Sequence, residues 1–331
     1  IPARNETNAL VECLNSVVAS DYPKLEIIVL DDCSQDNTAE IIRSFAQSGV
    51  RFVLGEEPNN NWLAKNHAYE KFADEALGEY ILFCGADVRF GVSTISKIVS
   101  RLASKDMISI LPLNTGHDPV MGLVQPMHYW WELALPRKLV NRPPALSSAW
   151  IIKTRSLRKL GTFEAVSRAV RPEVYFAKQL IPGNKYAFAI SDKDLALESS
   201  KSSQEQLSKA LRLSYPRLHQ RLEMVSILTL GELILFVAPF ALLTLSLVRG
   251  ELTTIVLAAL VCLALLTTHG LIVVSTTKKA SLVGFLAFLP SVIMEMVTTN
   301  VSMLRYEFGA VMWKDRNICI PVLRAKNGRP F

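Results

Sequence analysis

The sequence predicts a doubly wound α/β domain with a mostly parallel sheet, followed by transmembrane or interfacial helices. Three observations carry this. Between Ile1 and Asp87, short apolar runs ending in acidic residues alternate with segments of helical periodicity. After residue 223, three long segments are almost free of charge. The 331 residues are 50% hydrophobic and only 20% charged, with a mean hydropathy of +0.25, which is apolar for a soluble domain.

The elements follow in order. Residues 8–19 (NALVECLNSVVA) place apolar side chains at helical spacing. Residues 25–30 (LEIIVL) read as a buried parallel strand that ends at Asp31-Asp32. Thr38 to Gln47 is a helix capped by Asn37 or Thr38, and Val50 to Leu54 is a strand. Trp62 to Ala76 is helical, and Tyr80 to Cys84 is a strand ending at Gly85-Ala86-Asp87. Ligands of such sheets sit at the carboxyl ends of the strands, which is where Asp31, Asp32 and Asp87 fall. The proline-rich stretch 110–150 is less regular, and 151–180 returns to a helical reading. Its MHYWWELALPR segment reads first as packing, with a membrane-surface or acceptor role as the alternative.

Residues 199–223 are polar and net basic and suit an interfacial helix. Met224–Val248 and Ala280–Leu304 carry one charge each, Glu232 and Glu295, and Leu252–Thr277 carries none. Each is long enough to cross a bilayer, which takes roughly 20 residues. The Lys278-Lys279 loop and the tail from Arg305 are basic, which favours the cytoplasmic side for both. Two spans return the chain to that side, so Ala280–Leu304, with Pro290 and Glu295, is read as interfacial or re-entrant. A plain third span is the alternative. His269 reads as a packed helix contact. Ile1 stands within a strand-to-loop junction, so the domain is expected to lack its start, with a further membrane helix ahead of it a possibility.

The five cysteines form no CxxC pair and no even framework, so neither zinc nor disulfides are indicated, and a reducing compartment follows. The first strand is followed by no GxGxxG, which argues against a dinucleotide-dependent dehydrogenase. The net charge of +6 is explained by membrane-flanking Lys and Arg, so no nucleic-acid partner is expected.

Four motifs carry candidate chemistry. DDCSQDNT at 31–38 sets two carboxylates at a strand end, to accept hydrogen bonds from a base or ribose or to face a metal. Its Ser, Asp, Asn and Thr residues serve equally as a capping turn. NNNWLAKNHA at 59–68 puts Trp62, Lys65 and Asn66 at a helix entry, where they would grip a phosphate or form a solvated helix start. Asp87 in LFCGADVRF follows a buried strand and offers an oxygen ligand to a divalent ion. Glu173 starts a helix, as a general base or as a first-turn charge.

In this order and spacing, PARNE at 2–6, DDCSQDNT, WLAKNHA, GADVRF, GTFEAV, the Glu173 helix, the membrane segments and MWKDR at 312–316 resemble the inverting family 2 glycosyltransferases. More narrowly, they are similar to the membrane-bound lipid branch, with its hopanoid-, carotenoid- and ceramide-glucosyltransferase-like enzymes. The resemblance implies a GT-A-type fold over 1–198, an interfacial linker over 199–223, a membrane region over 224–304 and a basic cytoplasmic tail over 305–331. It implies that one sugar moves from a nucleotide sugar, UDP-linked, to a lipid hydroxyl at the cell membrane, with the catalytic domain cytoplasmic. It further implies that Pro2, Glu6, Asp31, Asp32, Lys65, Asn66 and Asp87 contact the donor. Asp87 would bind Mg²⁺ or Mn²⁺, and Glu173 would be the catalytic base. Trp313 with Lys314-Asp315-Arg316 would form a tail that closes over the site, or else an interface anchor. The sequence departs from the family pattern at Gly85, which replaces the first Asp of a DxD-type motif. It departs again at Pro172-Glu173, which replaces Glu-Asp. Those departures leave an impaired relative, kept as a binding or assembly module, as the alternative. QxxRW is absent, since Gln220-Arg221 is followed by Leu222, so a processive synthase is not expected.

Overall fold

The computed structural model describes residues 1–59, 61–115, 127, 129–134, 143–200, 203–277, 282–313 and 316–319. It divides into two compact units, one of Ile1–Thr115 with Pro136–Ser200 and one of Gly116–Leu135 with Lys201–Phe331.

The strands of the first unit, in chain order, are β1 (Pro2–Ala3), β2 (Ile27–Asp31), β3 (Val50–Leu54), β4 (Tyr80–Cys84), β5 (Val88–Phe90), β6 (Met107–Leu111), β7 (Leu113–Asn114), β8 (Ala149–Lys153), β9 (Tyr186–Ile190) and β10 (Leu197–Ser199). The order β1-β2-β3 is parallel throughout, with Pro2 opposite Leu30 and Ile27 opposite Val50. A second sheet, β4-β8-β6-β9, is mixed: β8 runs antiparallel to both neighbours and β9 parallel to β6. A small third sheet runs β5-β10-β7. The α/β class is therefore present; β1-β2-β3 is wholly parallel, and the other two sheets mix parallel and antiparallel pairs.

The expected strands at 50–54 and 80–84 stand at those bounds, and the helices differ only at their ends: α1 (Thr7–Val18), α2 (Thr38–Ser44) and α3 (Ala64–Glu75). The α1 face Leu10, Cys13, Leu14 and Val17 is buried, as its i, i+3, i+4, i+7 spacing requires. The helix α4 (Thr94–Leu102) packs Ile95, Ile98 and Leu102 into the same core. The helical reading of 151–180 is corrected at its start. Residues 149–153 are the buried strand between β4 and β6, and only then come α5 (Thr154–Lys159) and α6 (Pro172–Leu180). AWIIK runs straight into the helical TRSLRK with no Gly, Pro, Asn or Asp between them to mark the change.

In the second unit, α7 (Ser203–Arg217) precedes α8 (Leu222–Glu232), a π turn at Leu233–Val237, and α9 (Ala238–Arg249). Pro239 sits at the start of α9. It has no N–H to donate and would crowd the carbonyl four residues back, and the widened turn just before it absorbs both defects. Gly250, in the left-handed region at φ 71°, ends the rod. Next come α10 (Leu252–Thr277), α11 (Leu282–Leu286) and α12 (Phe288–Glu307). Among the described residues, Leu222–Arg249 and Leu252–Thr277 are long and apolar enough to cross a membrane. The third apolar segment is divided at Ala287, and Pro290 lies harmlessly in the first turn of α12. A short hairpin, Met312–Trp313 with Arg316–Asn317, follows. Lys278, Lys279, Lys314, Asp315 and the tail beyond 319 lie outside the described residues.

Candidate functional site

The site begins where β1 and β2 end side by side. Asp31 and Asp32 are 3% and 4% exposed at the end of β2. Asp31 Oδ1 accepts from the Ser34 N–H at 3.1 Å, and its carbonyl accepts from Gly55 N–H at 2.8 Å. A Cβ on Gly55 would lie 2.6 Å from that carbonyl, so only glycine lets β3 pass so close. The buried Arg4 guanidinium donates to the Asp32 and Cys33 carbonyls at 2.6 and 3.0 Å. Asn5 and Cys33 both adopt left-handed backbone, at φ 49° and 56°, a conformation that persists only where the surroundings impose it. Here Asn5 N–H donates to Ser34 Oγ and Asn5 Oδ1 accepts from the Gln35 N–H. Glu6 caps α1, and its N–H donates to Thr38 Oγ1 at 2.9 Å. The two predicted motifs PARNE and DDCSQDNT are thus one interlocked turn pair. Asp36 accepts from the Thr38 N–H and hydroxyl at the start of α2, whereas Asn37, at its N-cap, makes no side-chain cap bond.

Lys65 and Asn66 open α3 but take different positions. The Lys65 ammonium lies over the Tyr69 ring, 5.0 Å from its centroid. Asn66 is 1% exposed, and its amide donates to the carbonyls of Val166, Ser167 and Ala169 at 2.9, 3.0 and 2.8 Å. Its amide hydrogens are therefore spent on tying the 166–169 loop to α3. Glu70, one turn on, accepts from the Thr162 hydroxyl and the Phe163 N–H, and its carboxyl is pushed up by burial against those two bonds. The GTFEAV run is the other half of this clamp.

Asp87 follows β4 in a tight turn and is half-buried. Its Oδ2 accepts from Ser199 Oγ at 2.7 Å. Its Oδ1 folds back over Gly85, where an added Cβ would meet it at 2.5 Å. Gly85 therefore gives the Asp87 carboxylate its position, a role invisible in the motif. Ser199 comes from β10, far along the chain, and no motif marks it.

Glu173 lies in the first turn of α6, behind Pro172 at the helix start, where the dipole favours a carboxylate. It is 1% exposed; Oε1 is 3.7 Å from Arg171 Nε, and Oε2 accepts no hydrogen bond. Arg171 also donates to the Ala145 carbonyl, which fixes the guanidinium beside Glu173. Behind them Phe176 joins a cluster of Tyr69, Phe83, Trp150 and Phe163, with ring centroids 4.4–6.2 Å apart. Each such pair adds about 0.5–1.5 kcal/mol beyond burial. Tyr69 is the residue that sequence reasoning missed. Burial, then the charge of Glu173, raises its phenol well above its usual range, and Asp87 adds to this. Lys65, Asp87 and Glu173 are thus gathered around one buried phenol, whereas Pro2, Glu6, Asp31 and Asp32 belong to the neighbouring turn pair.

The oxygen set fits a divalent ion in one way only. Among the described residues no three His, Cys, Asp or Glu side chains converge on a common point. The described residues thus offer no cage, but they do offer the Asp87 carboxylate, which would share an ion with a diphosphate, as Mg²⁺ commonly binds.

Residues 1–161 match the Glycosyl transferase family 2 model. A 4,4'-diaponeurosporenoate glycosyltransferase of Staphylococcus aureus (strain USA300) is 31% identical over 116 residues, 34% of this chain and 30% of that protein. The chain thus spans under a third of the curated relatives it matches. The mannosyltransferase PcManGT of Pyrobaculum calidifontis, solved with GDP-Man and Mn²⁺, superposes with a TM-score of 0.54 at 18% identity, covering 92% of this chain and 84% of that one. At that identity the likeness speaks for the fold. Residues 1–161 are a glycosyl transferase family 2 domain of GT-A type, followed in the same chain by two long apolar helices.

Proposed function

We propose that the chain is an inverting glycosyltransferase that moves a single sugar from a UDP-linked donor to a lipid hydroxyl at the membrane. The observation that carries this is Glu173: a buried carboxylate at a helix start, one oxygen near Arg171 and the other accepting no hydrogen bond, against a packed aromatic floor. That free oxygen suits a general base. It takes the proton of the acceptor hydroxyl while the acceptor oxygen bonds to the anomeric carbon and the bond to the nucleoside diphosphate breaks. Burial keeps water from competing as the acceptor. The turn pair of Glu6, Asp31 and Asp32 is assigned to the nucleoside, with Pro2 in the strand that positions it, and Lys65 to the diphosphate. Asn66 serves this site through the loop it holds. Asp87 would hold a divalent ion, Mg²⁺ or Mn²⁺, which would supply positive charge at the leaving diphosphate.

The membrane half of the reading rests on the two long helices, which expose Ile227, Leu230, Leu235, Leu257, Leu260 and Leu263. So much exposed apolar surface belongs in lipid. The relatives agree in kind: one is named for glycosylating 4,4'-diaponeurosporenoate, and one was solved with a nucleotide sugar and Mn²⁺. Basic residues at both membrane-flanking segments support a multi-pass protein with its first unit cytoplasmic.

The test is release of UDP by purified protein in detergent, given Mg²⁺ or Mn²⁺, a panel of UDP-sugars and a lipid extract of the source organism. Release that needs metal, sugar nucleotide and lipid together is expected. Nucleotide binding without release in any combination would replace the enzyme by a binding module. Undiminished transfer by Asp87→Ala would remove the metal role.

A further inference from the structure

Within the second unit, α8 and α12 are turned inside out relative to a soluble helix pair. Ile227, Leu230, Ile293 and Val297 face outward at 52–62% exposure. The buried faces are polar. Asn300 Nδ2 donates to Thr229 Oγ1 at 3.1 Å and pins one end of the pair. The Phe236 and Phe288 rings, 5.8 Å apart, pin the other. Glu232 falls between these pins on one side, and Ser291, Glu295 and Thr299 fall between them on the other.

These groups are buried and short of partners. Glu232, Ser291 and Thr299 are at most 1% exposed, and Glu295 is 5% exposed. Both carboxyl oxygens of Glu232 and the hydroxyls of Ser291 and Thr299 make no hydrogen bond. Glu295 lies within electrostatic reach of Glu232 on one side and of Arg217, from the end of α7, on the other. Leaving several such groups unmet in an apolar setting costs several kcal/mol, so the arrangement calls for an occupant.

Its chemistry is constrained. Carboxyl oxygens accept and a protonated carboxyl also donates, so a hydroxyl group, which does both, matches the seam. A resident metal is a poor match, because no three His, Cys, Asp or Glu side chains converge among the described residues. One end of the seam is walled by aromatic rings. Trp130 lies 5.2 and 5.7 Å from Phe236 and Phe288, and its indole N–H donates to His269 Nδ1 at 3.2 Å, which locks its orientation. The apolar exterior makes the surrounding medium lipid.

We propose that this seam binds the hydroxyl-bearing headgroup of a membrane amphiphile. Glu232 accepts its O–H groups, Ser291 and Thr299 complete the hydrogen bonds, and the Trp130–Phe236–Phe288 wall packs against the first carbons of its apolar part. The assignment concerns binding, and it stands whether or not the chain transfers sugar.

The test uses the whole chain in a detergent without hydroxyl groups. The probes are 1-monooleoylglycerol and the same lipid with both hydroxyls methylated, and the readouts are tryptophan fluorescence and thermal unfolding, with no sugar donor present. The free glycerol lipid is expected to bind saturably, and the methylated one at least about tenfold more weakly. Glu232→Gln, which keeps the shape, should weaken binding by about tenfold, the scale of one hydrogen bond to a charged group. Thr299→Val should weaken it severalfold and serves if Glu232→Gln does not fold. Leu230→Ala, on the outer face, should bind as the parent does. Equal binding of the two lipids, or unchanged binding by both seam variants, would overturn the proposal. So would a saturable response to Na⁺ or Ca²⁺ alone that Glu232→Gln abolishes. Lipid binding that persists where UDP release fails would count against the transfer reaction only.

Discussion

Ser199 Oγ donates a 2.7 Å hydrogen bond to Asp87 Oδ2 across 112 residues of sequence. The carboxylate assigned to a divalent ion is thereby aimed by a strand at the far end of the domain. Ser199→Ala should keep the fold, at a cost of about 1 kcal/mol. It should raise the metal concentration needed for half-maximal UDP release by about 10- to 100-fold, the usual effect of losing a partner behind a ligand. A metal titration of variant and parent decides this; unchanged half-saturation would free Ser199 of the role.

Gly85 invites a repair that the structure advises against. Writing Asp at this position restores the family's DxD-type pattern, yet its Cβ would stand 2.5 Å from Asp87 Oδ1. Gly85→Asp is expected to displace that oxygen and lower kcat/KM, and Gly85→Ala should do the same because the Cβ alone suffices. A rise in kcat/KM for Gly85→Asp would show that Asp87 has room to move.

Glu173→Gln should lower kcat by about 10²- to 10⁴-fold, the range for removing a general base. It should also lower the melting temperature, because the Arg171 guanidinium is left buried beside a neutral amide. Full activity in this variant would assign the base elsewhere.

Asn66 gives a different signature. Asn66→Ala strips three carbonyls of their donor and should cost about 1–3 kcal/mol. Proteolysis after Arg168 should speed up as the loop loosens. Denaturant midpoints and cleavage rates measure both; unchanged values would mean that the loop is held by other contacts.

Asp106 supplies an acid limb to stability. Burial alone would raise its carboxyl, but bonds from Lys153 and Ser156, together with the Lys185 charge, hold it below the usual range. A depressed acid stabilises the fold above its unfolded value, near 3.9, and that contribution is lost as pH falls from there through the folded value. Unfolding temperatures measured from pH 6 downward should show a loss below about pH 4. The loss should be smaller in Asp106→Asn, which should also be less stable at neutral pH because Lys153 is left buried beside a neutral group.

The elements that position the site were legible wherever local pattern suffices. LEIIVL ending in two Asp, YILFC ending in GAD and the amphipathic α1 follow from periodicity and burial, which are properties of short windows. The acidic strand ends and the order of the motifs located the chemistry for the same reason. The strand β8 escaped because AWIIK joins the helical TRSLRK with no breaker residue between them. Tertiary structure alone decided which oxygen of Asp87 is occupied, that Asn66 serves a loop, and that Tyr69 lies among Lys65, Asp87 and Glu173. It also set Glu232 between Thr229 and Phe236 against Glu295. The sequence determines which groups exist and which local backbone they ride on. Their partners come from residues up to 112 positions away, brought close by sheet pairing and helix packing, and no local window contains that information.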